Sequence, residues 1–160
     1  MNSLKSPNKW RGRVMRYAPL VLWIGVIFFL SSAFASFSGT SRFIGPLLVF
    51  LFPGATAEML LAYHGYIRKF AHFAEYAVLA FFAARALTDS SIEVLRKFWY
   101  AASIILVLVV AIIDETNQAF ISTRTGSAWD VLIDVAGGFA MTIFLVLFRQ
   151  RWPQKIFFAV

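Results

Sequence analysis

The chain contains no cysteine, which excludes disulfides, thiolate metal sites and cysteine nucleophiles. Charge is scarce too. Only 14% of the 160 residues are Asp, Glu, Lys or Arg, against about a quarter in a soluble domain. Hydrophobic residues make up 60%, among them 18 Phe, 5 Trp and 5 Tyr, a surplus too large for one soluble core. The composition predicts an integral membrane protein in a single domain, 1–160. The net charge of +7 sits in short basic flanks of apolar runs. Flanks of that kind are orientation signals, so no nucleic-acid partner is expected.

Apolar runs predict an all-α bundle of about four transmembrane helices, near 17–35, 66–87, 97–119 and 129–148. The first follows Lys5, Lys9, Arg11, Arg13 and Arg16 and ends at Ala33-Phe34-Ala35, a pattern that a cleaved signal would also show. Its Trp- and Phe-rich length favours an uncleaved helix. Between the first two spans, Phe43–Pro53 is apolar but short, and it contains Gly45, Pro46 and Pro53. It is expected to be re-entrant or interfacial. No internal repeat is evident.

With both termini cytoplasmic, eleven Lys and Arg fall on the inner side and four (Arg42, Arg68, Lys69, Arg124) on the outer. This positive-inside asymmetry puts one set of ionisable residues at the outer ends of the last three helices. Measured from Arg85, Glu75 lies about 15 Å along the helix and His72 about 20 Å. By the same rise, Asp134 lies about 22 Å from Arg149, and Asp114 about 25 Å from Lys97. Three helices thus deliver polar groups to one layer.

Arg68, His72 and Glu75 share a helix face at i, i+4, i+7, bordered by Lys69 and Tyr76. Asp114 and Gln118 are an i, i+4 pair, Glu115 and Gln118 an i, i+3 pair, and Asp130 and Asp134 again i, i+4. Charge inside a bilayer usually faces the bundle interior and marks a site. Glu75, near mid-bilayer, is the most conspicuous member. One alternative is an ion-pair network that only fixes helix register. No spacing here has the specificity of a HExxH helix, and neighbouring cations would compete, so neither metal nor cofactor is expected. Ser122, Thr123, Thr125 and Ser127 read as turn residues, His64 as an interfacial loop residue, and Ala136, Gly137, Gly138 and Ala140 as a patch for close helix packing.

Lys69-Phe-Ala-His72-Phe-Ala-Glu75-Tyr76, then Asp114-Glu115-Thr-Asn-Gln118-Ala-Phe120 with Arg124, then Asp130-Val-Leu-Ile-Asp134-Val-Ala-Gly137 resemble the VanZ-like family. The family pattern, K-x-x-H-F-x-E-Y followed by D-E-x-x-Q-x-F, R and D-x-x-x-N/D-x-x-G, occurs in order over 69–138. The resemblance implies a small polytopic bacterial membrane protein of the cell envelope; the family is named for a member that confers teicoplanin resistance. It carries over Lys69, His72, Glu75, Tyr76, Asp114, Glu115, Gln118, Arg124, Asp130 and Asp134.

Three functions follow, in order of preference. The first is a multi-pass protein of the cytoplasmic membrane with an outer-leaflet pocket formed by these residues and Arg68. It would bind a lipid-linked cell-wall precursor or a lipoglycopeptide head group, with membrane lipids as partners. The second is a membrane enzyme acting on an envelope lipid, with His72, Glu75, Asp114 and Glu115 as candidates for acid–base catalysis. The third is a proton-linked transporter, for which four helices would need an oligomer.

Overall fold

A computed structural model describes residues 9–32, 37–120 and 126–151. They form six helices: α1 (Lys9–Leu30), α2 (Phe37–Leu51), α3 (Ala57–Thr88), α4 (Glu93–Lys97), α5 (Trp99–Ala119) and α6 (Ala128–Arg151), with no strand among the described residues. Four segments are long and apolar enough to cross a membrane: Arg11–Leu30, Ala57–Thr88, Trp99–Ala119 and Ala128–Phe148. The fold class is therefore the expected all-α one. The 15 residues of α2 span about 22 Å, short of a ~30 Å hydrocarbon core. The apolar segment from Phe43 belongs to this helix, which starts before it at Phe37.

The 32 residues of α3 make it the longest element, and it starts at Ala57 rather than near Tyr66. Its start is set by a cap rather than by hydropathy. Thr56 adopts an extended conformation, and its hydroxyl accepts a bond from the Met59 amide at 3.3 Å. Glu58 in the first turn and Arg85 in the last complement the helix dipole. His64, expected in a connection, consequently lies inside α3 with its side chain buried.

α3 is the hub and touches each of the other five helices. One of its faces is built of small residues, with Ala80, Ala83, Ala84 and Ala86 all buried beside Tyr76, Leu79 and Leu87. Without a hydrophobic drive between helices in lipid, close backbone approach and van der Waals contact hold such bundles together. The main core joins Leu20 and Ile27 of α1 to Tyr76, Leu79, Ala80, Ala83 and Ala86 of α3 and Val107, Val110 and Ala111 of α5, with Val131, Val135 and Met141 of α6 packed against it. A second cluster, Ala84, Leu87 and Trp99, lies toward the α3–α5 connection with Leu95, Leu145 and Val146 around it. Large apolar side chains face outward on every spanning helix, among them Leu22, Phe70, Ile105 and Phe144. Such a surface suits hydrocarbon and not water.

Two glycines let α6 approach its neighbours. A Cβ on Gly137 would strike the Phe73 carbonyl oxygen and sit 2.9 Å from the carbonyl carbon. One on Gly138 would lie 2.7 Å from Val107 Cγ1. The small-residue patch read from sequence thus works through its two glycines, while Ala136 and Ala140 face outward.

Candidate functional site

The polar groups collect at the end of the bundle opposite the Trp99 cluster. α1 brings Ser31 at its C-terminal end, α3 brings His72 and Tyr76, α5 brings Asp114, Glu115 and Gln118, and α6 brings Asp134. Ser31, Tyr76, Asp114, Glu115, Gln118 and Asp134 are all buried. The layer inferred from helical rise is therefore a physical cluster.

Each carboxylate is pinned through one oxygen. Asp114 Oδ2 accepts bonds from Ser31 Oγ at 2.8 Å, Gln118 Nε2 at 3.0 Å and Tyr76 OH at 3.3 Å. Glu115 Oε2 accepts the Ser127 backbone N–H at 2.8 Å. Asp134 Oδ1 pairs with His72 Nδ1 at 3.2 Å. The second oxygen of each is different. Asp114 Oδ1, Glu115 Oε1 and Asp134 Oδ2 are buried with no hydrogen-bond partner among the described residues. An unmet buried acceptor costs about 1–3 kcal/mol, and more when charged. No described Lys or Arg lies within ion-pair distance of these three carboxylates. One ligating atom from each of His72, Asp114, Glu115 and Asp134 falls within 4.8 Å of the others.

Local structure explains the convergence. Ser127 ends the loop before α6, where its hydroxyl accepts the Trp129 amide at 3.1 Å while its own amide holds Glu115. The start of α6 is thereby fastened to the end of α5, and the residue expected to be a mere turn orients a site carboxylate. The Gly137–Phe73 contact does the same between α6 and α3. It lies one turn after Asp134 and one residue after His72, so it sets how closely that pair can meet.

Other expected site residues lie around the cluster on the same helices. Glu75 is half-buried, and its backbone carbonyl accepts the Trp23 indole N–H at 2.9 Å. Arg68 is half-buried and Lys69 exposed on the preceding turn of α3, and Asp130 is half-buried one turn before Asp134. Arg124 lies outside the described residues. The sequence reading missed Ser31 and Trp23. Ser31 had one weak signal, a hydroxyl at the end of an apolar run.

The chain matches the VanZ/LLP1 family over residues 17–149. No curated protein and no solved structure matches it. The matched stretch takes in most of the first spanning segment, the whole of the other three and every member of the polar cluster, and with it the chain is a multi-pass membrane protein of the VanZ/LLP1 family.

Proposed function

We propose that this protein works in the bacterial cytoplasmic membrane as an envelope protein whose polar centre faces the outer leaflet. There it binds the head group of a lipid-linked cell-wall precursor or a lipoglycopeptide, an antibiotic-resistance type of role. The observation that carries the reading is the convergence of Ser31, His72, Tyr76, Asp114, Glu115, Gln118 and Asp134 from four helices on one buried layer. A polar layer that costs this much to bury is kept for function more readily than for stability. Arg68 and Lys69, one turn toward the outer end of α3, supply positive charge for a phosphate or carboxylate at the mouth. The excess of Lys and Arg on the opposite side orients that mouth outward.

A second reading, an enzyme of the same lipid pool, is favoured by one contact. The His72–Asp134 pair at 3.2 Å is an acid–base couple, with Asp134 holding the ring and fixing its tautomer. The two readings separate in one experiment. Cells expressing wild type or Glu115→Gln, at matched membrane levels, are compared for teicoplanin susceptibility and for turnover of labelled polyprenyl-linked precursor. Protection lost in the mutant without turnover supports binding. Turnover lost in His72→Gln supports the enzyme. No protection, no turnover and no precursor retained on the purified protein would remove both.

A further inference from the structure

We propose that His72, Asp114, Glu115 and Asp134 form a binding site for one divalent cation of the Mn2+ or Zn2+ class. This reverses the expectation of no metal drawn from sequence, where spacing along the chain offered no ligand motif. The ligands come from three helices, so no local spacing could have shown them.

The cluster of acids would not suffice on its own. The decisive observation is that each carboxylate is oriented by a bond to one oxygen while the other oxygen, fully buried, meets nothing among the described residues. That is how a metal ligand is prepared: an outer shell of donors fixes the carboxylate, and the free oxygen is left for the ion. Ser31, Tyr76 and Gln118 supply that shell for Asp114 and the Ser127 amide supplies it for Glu115, while Asp134 is held by His72, itself one of the four ligands, across the close α3–α6 contact at Gly137.

Spacing and chemistry agree with this. The four ligating atoms lie within 4.8 Å of one another, and trans ligands on an ion with bonds of about 2.1–2.4 Å stand about 4.2–4.8 Å apart. Little closure is needed. Carboxylates alone would suit Mg2+ or Ca2+, and the imidazole shifts preference toward Mn2+ and Zn2+. Among the described residues no Lys or Arg reaches these three acids. Four protein ligands leave coordination positions open on a six-coordinate ion. A phosphate oxygen can occupy one, which rests on the head-group reading above and explains how an acidic centre could receive an anionic lipid.

The test uses the full chain purified in detergent, stripped with chelator and titrated with Mn2+ by calorimetry and by loss of the free-ion EPR signal. The expected result is one ion per chain. Asp114→Asn and Asp134→Asn should each weaken binding at least ten-fold, while Asp89→Asn, outside the cluster, leaves it unchanged. Should the Asn variants fail to fold, the wild type decides: Mn2+ should raise its thermal midpoint progressively with concentration, and K+ should not. Folded wild type with no saturable binding and no thermal shift overturns the proposal. So does binding that appears only in Arg124→Gln, which would mean that a guanidinium holds the site. The lipid step is read separately, as retention of polyprenyl phosphate but not polyprenol with and without Mn2+. Mn2+ binding with no effect on retention keeps the metal site and removes the head-group reading.

Discussion

The two oxygens of Asp114 differ sharply, one crowded by three donors and the other meeting none among the described residues. Single donors should therefore be dispensable for folding. Tyr76→Phe and Ser31→Ala are each expected to cost about 0.6 kcal/mol, the average for interhelical hydrogen bonds in membrane proteins, read from reversible unfolding in mixed micelles. Because both bonds end on one oxygen and each can stand in for the other, the double variant should cost more than the two losses added. Full additivity would mean that the donors do not share an acceptor. The residues that cluster were legible where charge broke an apolar run, as at His72, Asp114, Glu115 and Asp134. Ser31 was not, because a serine closing a hydrophobic stretch looks like any helix end. The inward face of α3 runs through His72, Tyr76, Leu79 and Ala83, and Glu75, turned by about 60° from His72 and about 100° from Tyr76, lies at its edge.

At the level of elements, the bundle depends on how near α6 comes to α3. Gly137→Ala places a methyl group on the Phe73 carbonyl, and overpacking of this kind costs about 1–3 kcal/mol. The expected outcome is a lower thermal midpoint together with disturbance around His72, visible as a changed imidazole resonance by NMR. Gly25→Ala, on α1 where an added Cβ meets nothing within 4 Å, should be neutral or stabilising by up to about 1 kcal/mol. Equal effects of the two substitutions would deny the close contact its role. The helices themselves were readable from hydropathy, and most of their ends to within a few residues, but the start of α3 was not. α3 begins at Ala57 because Thr56 caps it, a hydrogen-bonding signal that a hydropathy count passes over. The glycine patch was readable as a packing surface, yet which of its members touch a neighbour depends on helix rotation, which one sequence does not specify.

For the whole molecule, the absence of cysteine makes topology directly testable. Single cysteines can be placed at Gly54, in the open turn before α3, and at Ser91, exposed between α3 and α4. With both termini inside, Gly54→Cys should react with an impermeant maleimide on spheroplasts, and Ser91→Cys only on inverted vesicles. The opposite pattern would invert the orientation and place the polar centre toward the cytoplasm. Class and span number were legible from composition because lipid demands long apolar helices; the assembled centre was not, because its members are distant in the chain. That distance has a consequence for how the protein is made. Asp114 and Glu115 are synthesised with α5, and Asp134, which completes the centre, arrives only with α6. During translation the earlier acids must wait without their last companion. Their place near the C-terminal end of α5 lets them linger by the aqueous boundary, and Asp134, in the second turn of α6, need travel only a short way into the bilayer to join them. The centre is thus closed only when α6 arrives from the ribosome.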